Sequence, residues 1–290
     1  MTNRSLRGTA ATLVALVAGA AAASQAPGWA SDPQAAFAAA KKADQLVLVD
    51  AYADWCGWCK VLEREVFPHP EFLAATRDFV KLRVDVEDGG EGTELAERYG
   101  AWSLPTLLIL EPDGALIGTV EGYAPVGPFV DRLRSQLAIH ERVLEGYRRA
   151  LAGGDVETLR RTAIDFYERQ DGARSAALLE KLLGSTSLEP REEAWTRYFL
   201  ADAWRMAGDA EKARAAARSA QSAAARVAVE PELGERLDLL PFWIAETARE
   251  CGAAAGALAA FEKAHPQSPF LDEARRALTR LRADAGPRCT

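Results

Sequence analysis

The residues of this 290-residue chain best suited to chemistry are two cysteines, Cys56 and Cys59, separated by two residues. They follow the apolar run 46–52, which is typical of a buried strand, and they precede residues 60–67, whose apolar positions have helical spacing. Cys56 would therefore lie at a helix N-terminus, where free N–H groups and the helix dipole lower a thiol pKa below about 8.5. Because the thiolate is the attacking species, the pattern predicts a redox pair. Cys56 would attack a partner disulfide, and Cys59 would then release the reduced partner.

Two other uses of a cysteine pair, a zinc site and a structural disulfide, fit this sequence less well. A tetrahedral zinc site needs four ligands, and Cys251 and Cys289 lie far along the chain without forming a second closely spaced pair. A disulfide across two residues closes almost no chain, so it would stabilise the fold little. The sequence therefore predicts no metal and no organic cofactor, since the electrons would pass through the two sulfurs.

Residues 1–30 have the layout of an export signal. Arg4 and Arg7 precede the apolar run 10–23, and its last alanines form a cleavage site. The alternative, a membrane anchor, needs about 20 strongly apolar residues, whereas this run is short and rich in alanine. We therefore expect an exported protein, periplasmic or secreted and soluble after the signal is removed, in a compartment where disulfides persist.

Two parts with different patterns follow the signal segment. Residues 31–140 alternate between helix and strand patterns, which predicts an α/β domain with a mixed sheet covered by helices. Residues 141–290 lose the strand pattern, and the turn glycines Gly172, Gly208 and Gly252 predict an all-α domain that resembles tetratricopeptide repeats. A generic helical bundle is the alternative, because the glycine spacings of 36 and 44 residues differ from the family period of about 34.

The charge of the chain argues against one class of partner. The formal net charge is −7, and residues 32–140 carry 18 acidic against 10 basic side chains. A protein that binds nucleic acid is expected to show a basic patch or domain. We therefore predict no nucleic-acid partner.

Three stretches of the first domain resemble thioredoxin-fold proteins, above all the exported bacterial thiol–disulfide interchange proteins. VLVDAYADWCGWCK (47–60) is similar to their active-site stretch, and YGAWSLPTLLIL (99–110) is similar to their loop with a cis-proline before a strand. The turn Pro112–Asp113–Gly114, followed by Gly122, is the third match. The resemblance covers residues 31–140. It implies a thioredoxin fold and a protein-disulfide oxidoreductase whose partners are protein thiols and disulfides.

The resemblance also implies roles for single residues. Pro105 would be the cis-proline that faces the cysteine pair and exposes the backbone of Leu104 to an extended substrate; an ordinary trans turn proline is the alternative. Asp50 would be the family's buried acid, whose raised pKa lets it accept the Cys59 proton, unless it only orders the strand. Lys81 matches the lysine that tunes this acid, unless it is a surface lysine.

The chain departs from the family in the dipeptide between the cysteines, Gly57–Trp58. Thioredoxins carry Gly-Pro and strong oxidases Pro-His at this place, and the dipeptide helps to set a reduction potential that spans about −270 to −120 mV across the fold. Trp58 lacks an imidazole that would stabilise a thiolate, which favours a moderately reducing protein. Trp55 and Trp58 would also form an apolar contact surface for extended partners; core packing is the alternative, above all for Trp55.

The remaining expectations concern partners and the other two cysteines. Cys251 and Cys289 would form a disulfide that fixes the C-terminal tail. In the alternative, Cys251 is a buried helix residue and Cys289 is a free thiol at the frayed end of the chain. A membrane redox partner would recharge the cysteine pair outside the cytosol, and the helical domain would dock a protein partner or position the catalytic face. The rival interpretation is a scaffold or chaperone-like binding protein, in which the helical repeats dock a partner and the cysteines do not turn over.

Overall fold

The computed structural model describes residues 28–185 and 188–285, so most of the predicted export signal lies outside the described residues. The four strands are β1 (Leu46–Tyr52), β2 (Phe79–Asp85), β3 (Thr106–Leu110) and β4 (Leu116–Glu121). Four helices come before β4, namely α1 (Pro33–Ala43), α2 (Gly57–Glu65), α3 (Pro70–Ala75) and α4 (Glu91–Tyr99). The helices that follow are α5 (Val126–Gly153), α6 (Val156–Glu168), α7 (Gly172–Ser185), α8 (Pro190–Met206), α9 (Ala210–Ala224), α10 (Pro231–Thr247), α11 (Cys251–Ala264) and α12 (Leu271–Ala285).

The four strands form one mixed sheet in the order β2-β1-β3-β4. β1 is parallel to β2 and antiparallel to β3, and β3 is antiparallel to β4. Helices cover both faces, so β1 is buried from both sides, and this explains its almost continuous apolar sequence. The predicted fold class, a thioredoxin-like mixed sheet followed by a helical region, is confirmed.

Two apolar layers hold the sheet between its helices. On one face, Leu48 of β1 packs in the same cluster as Leu62 of α2 and Phe129 of α5. On the other face, Val49 packs in the same cluster as residues of α1 and α4, including Leu95. Each fully buried leucine or phenylalanine contributes about 1.5–3 kcal/mol to stability. The first layer fixes α2, and with it the cysteine pair, against the sheet.

The second part of the chain is helical, as predicted. Helix α5 runs without a break through the expected domain boundary at residue 140, so the two parts are joined by a helix. Consecutive helices then pack on each other, and a close approach between α7 and α8 requires Gly172, because a Cβ there would lie 2.2 Å from the carbonyl oxygen of Ala203. Gly208 has a φ of +77° at the turn between α8 and α9. Whether these helices are tetratricopeptide repeats stays a prediction.

The contacts of the helical region with the sheet domain include one at the edge of the sheet and one at α4. At the edge strand β4, the backbone N–H of Leu116 donates to the carbonyl of Arg169 (2.7 Å), and the Arg169 guanidinium donates to the carbonyl of Ile117 (3.1 Å). At α4, Arg280 forms an ion pair with Glu94 (2.9 Å). The first contact occupies backbone groups that an edge strand otherwise leaves open. Within the described ranges, no helix is long and apolar enough to cross a membrane.

Candidate active site

The cysteine pair lies at the start of α2, as predicted. Cys56 is the N-cap of the helix, and its Sγ accepts a hydrogen bond from the backbone N–H of Cys59 at 3.1 Å. The two residues form a disulfide, with their Cα atoms 5.3 Å apart. The N–H of Cys56 donates to the carbonyl of Ala53 (3.0 Å), which turns the chain from strand to helix. A helix N-terminus stabilises negative charge, so this geometry favours thiolate at Cys56 once the disulfide is reduced.

Both cysteines are almost covered in this disulfide form. Cys56 is 3% exposed and Cys59 is 1% exposed, so the difference between them has the expected direction but is small. A partner must therefore reach the sulfur of Cys56 over the surface that surrounds it.

The loop before β3 forms part of this surface. The peptide bond between Leu104 and Pro105 is cis, as predicted. The pairing of Ala51 with Thr106 sets this loop beside the end of β1 that leads to the cysteines. Leu104 packs against the core cluster that contains Ala51, and the carbonyl of Pro105 accepts a hydrogen bond from Gly122 at 2.8 Å.

Exposed tryptophans flank the pair and the loop. Trp55 is 67% exposed, and Trp58 and Trp102 are each 59% exposed. Trp58 stacks on Tyr123 with ring centroids 5.2 Å apart, and the Trp55 indole N–H donates to Glu87 at 3.0 Å. The alternative interpretation, in which Trp55 packs in the core, is therefore wrong. The described part of the chain exposes four large apolar side chains. Three of them are these tryptophans, and the fourth is Leu73 in α3.

Trp102 was not among the residues predicted from the sequence. Its signal is its place, three residues before Pro105 in a segment with no helical or strand periodicity. The structure adds Trp102, in the loop before β3, to Trp55 and Trp58 as an exposed apolar side chain.

Asp50 lies in the middle of β1 with no exposed surface. Burial raises the pKa of Asp50 to about 7; the Arg83 charge opposes this rise, and the Glu63 charge adds to it. Arg83 Nε lies 3.2 Å from Asp50 Oδ2, and Arg83 Nη1 lies 2.9 Å from Glu63 Oε1. The Arg83 guanidinium also lies over the Tyr52 ring, 4.1 Å from its centroid. At neutral pH this carboxyl is able both to take up and to release a proton.

The cation beside Asp50 is Arg83, whereas the resemblance had indicated Lys81. The parallel register of β1 and β2 pairs Asp50 with Arg83 and pairs Leu48 with Lys81. Lys81 therefore lies two residues before Arg83 on the same face of β2. No ion pair joins Lys81 to Asp50 in the part of the chain that the structure describes. Burial lowers the pKa of Lys81. The register between two strands, which the sequence of either one does not reveal, decides which cation meets the acid.

Gly57 and Cys251 are two further residues that the sequence singled out. Gly57 begins α2, and a Cβ at this position would meet no atom within 4 Å. Cys251 is buried at the start of α11, and Cys289 lies outside the described residues, so their bridge stays a prediction. Over the described ranges, no cluster of three or more His, Cys, Asp or Glu side chains is arranged to hold a metal ion.

Comparison with known proteins places this site in a family. Residues 28–112 match the family model described as thioredoxin-like. The chain is 43% identical over 83 residues to the thiol:disulfide interchange protein DsbD of Pseudomonas fluorescens. The aligned region covers 28% of this chain and 14% of that protein. The chain is 35% identical over 86 residues to thioredoxin of Bacillus subtilis, covering 30% of this chain and 77% of that protein. A solution structure of a thioredoxin from Thermus thermophilus matches at 30% identity with a TM-score of 0.35, covering 38% of this chain and 87% of the other.

These relatives differ in how much of their length is matched. The chain covers about one seventh of the two DsbD proteins that resemble it at 43% and 44% identity. The thioredoxin of Bacillus subtilis, by contrast, is matched over more than three quarters of its length. The sheet order, the helix-capping cysteine pair and the cis-proline loop lie in the same part of the chain. The chain therefore belongs to the thioredoxin-like family, and its first domain is a thiol–disulfide oxidoreductase domain with Cys56 and Cys59 as its redox pair.

Proposed function

We propose that the whole protein is an exported protein-disulfide reductase. Cys56 attacks a partner disulfide and forms a mixed disulfide with the partner. The Cys59 proton passes to Asp50, and the Cys59 thiolate attacks Cys56 Sγ. The partner leaves as a thiolate, and the pair becomes a disulfide. The observation that carries this proposal is the sulfur of Cys56 at the N-cap of α2, within 3.1 Å of the Cys59 N–H.

Substrate binding uses the surface around the pair. Trp55 and Trp58 supply apolar contact area, and an extended segment of the partner pairs with the backbone of Leu104 beside Pro105. The high exposure of both tryptophans supports this role, because large exposed aromatic side chains are enriched in binding surfaces.

The sequence and the relatives support the proposed direction of transfer and the proposed location. Gly57–Trp58 favours a moderately reducing pair, and several relatives are named thiol:disulfide interchange proteins. A reductase outside the cytosol needs a donor of electrons, for which we propose a membrane redox protein. The helical region docks a protein partner or fixes the orientation of the catalytic face, a role supported by its contacts with β4 and α4.

Insulin disulfide reduction with dithiothreitol as electron donor tests the catalytic claim. We expect the full chain to catalyse the reaction and Cys56→Ser to be inert. Cys59→Ala should accumulate mixed disulfides with exported proteins, because the resolving thiol is gone. A protein that keeps its biological activity with both cysteines changed to serine is a scaffold, and the proposed function is then wrong.

A further inference from the structure

We infer that Arg83 is a positioning residue for the release of the reduced partner: it holds Asp50, as a carboxylate, in the place where it accepts the Cys59 proton. This inference rests on the proposed function, in which Asp50 is the proton acceptor. It adds a residue for which neither the cysteine motif nor the family resemblance gave a role.

The contacts of Arg83 join the strand that carries the acid to the helix that carries the resolving thiol. Asp50 lies on the same face of β1 as Leu48, which packs against α2. Cys59 and Glu63 are one helical turn apart, so they lie on the same side of α2. Glu63 contacts Arg83 at 2.9 Å, and Arg83 contacts Asp50 at 3.2 Å.

The guanidinium has a charged or aromatic neighbour on three sides. Besides the two carboxylates, the Tyr52 ring lies 4.1 Å from the guanidinium carbon, and only 11% of the Arg83 side chain is exposed. A guanidinium keeps its charge at any pH where thiols titrate, and its planar fork can serve two acids at once. Arg83 is therefore a constant positive charge at a constant position.

The charged and titratable groups that face Asp50 act in opposite directions. They are Tyr52 from β1, Glu63 from α2 and Arg83 from β2, while β3 places apolar Leu107 opposite Asp50. Burial and the Glu63 charge both favour the protonated carboxyl, and the Arg83 charge favours the carboxylate. Without Arg83, Asp50 would keep its proton to a higher pH and would be unable to take another from Cys59.

The step that Arg83 supports is a two-electron transfer. The Cys59 proton passes to the Asp50 carboxylate, and the Cys59 thiolate attacks Cys56 Sγ. The bond between Cys56 and the partner sulfur breaks, and the partner leaves with the electron pair as a thiolate. The two cysteines are oxidised to a disulfide and the partner is reduced.

The test measures this step separately from the first attack. Reduced full-length protein is mixed with dithiobis-nitrobenzoate in a stopped-flow instrument. The first thionitrobenzoate released reports attack by Cys56, and the second reports attack by Cys59. Both rates are followed from about pH 5 to about pH 9 for the wild type, Arg83→Met, Arg83→Lys and Lys81→Met. Arg77→Met, which removes an exposed arginine with 78% of its side chain accessible, is the matched control.

For Arg83→Met we expect the midpoint of the second phase to move up by about one pH unit or more, which slows release about fivefold near neutral pH. The first phase should keep its rate, a result that a merely damaged fold would not give. Arg77→Met should match the wild type, and Lys81→Met should shift the midpoint less than Arg83→Met does. If Arg83→Met does not fold, Arg83→Lys carries the test, because a lysine cannot bridge both acids and should also shift the midpoint upward.

An unchanged second-phase midpoint in the folded Arg83 variants would overturn the inference, and so would a larger shift in Lys81→Met. Asp50→Asn separates this failure from failure of the proposed function. If Asp50→Asn slows the second phase while the Arg83 variants leave it unchanged, only the role of Arg83 is wrong. If Asp50→Asn leaves the rate and its pH dependence unchanged, Asp50 is not the proton acceptor, and the proposed function must be revised.

Discussion

Replacing Asp50 by asparagine should change how the stability of the sheet domain depends on pH. Burial raises the pKa of Asp50 from its usual 3.8 to about 7. Between these two values the folded carboxyl holds a proton that the unfolded one has released, so unfolding releases a proton. Stability therefore falls as pH rises through this window; the contribution is fully present below about pH 4 and absent above about pH 7.

The size of this effect follows from the difference between the two pKa values. About three units, at about 1.4 kcal/mol each, amount to about 4 kcal/mol of stability lost between acid and neutral pH. Asparagine has nearly the same shape and does not titrate, so Asp50→Asn should lack this loss. Leaving Arg83 without its acid has a cost for stability, but that cost is the same at each pH and does not alter the slope.

Hydrogen exchange of the β1 and β3 amides, measured by mass spectrometry on the oxidised full-length protein, gives the free energy of opening this sheet. We expect the difference between Asp50→Asn and the wild type to grow in favour of the variant by about 4 kcal/mol from about pH 4 to about pH 8. Asp78→Asn, which removes an exposed acid, is the control and should follow the wild type. A difference that stays flat within about 1 kcal/mol would refute the raised pKa and the burial argument behind it.

Two further predictions concern substrate contact and helix packing. Trp58→Ala should lower kcat/KM for protein disulfides by roughly thirtyfold, or about 2 kcal/mol, since an exposed tryptophan at a binding surface contributes on this scale to binding. A small disulfide such as dithiobis-nitrobenzoate should react with the variant at the wild-type rate. Equal losses for both substrates would contradict a binding role of Trp58. Gly172→Ala should destabilise the helical region by about 1–3 kcal/mol, because its Cβ would overlap a backbone oxygen of α8. Gly184→Ala, where a Cβ meets nothing within 4 Å, is the control for urea unfolding, and equal midpoints for the two variants would contradict the close approach.

The features that the sequence predicts well depend on neighbours along the chain. β1 and β3 have the bounds expected from their apolar runs, because strands buried on both faces leave a continuous signal. Cys56 is an N-cap because a strand pattern ends shortly before it and a helical pattern begins after it. The cis bond before Pro105 was expected only from the family resemblance, since local propensity alone favours trans.

By itself, then, the sequence determined the mixed sheet, the helical second part and the place of the redox pair, because each of these follows from the local periodicity of apolar residues or from the spacing of residues along the chain. The tertiary structure alone decided which cation meets Asp50, because the register of two strands about 30 residues apart sets Arg83, and not Lys81, opposite it. It also decided that Trp102 stays exposed and that one helix crosses the expected boundary. Each of these depends on contacts between distant segments, and burial and charge at such contacts are not encoded in any single stretch of residues.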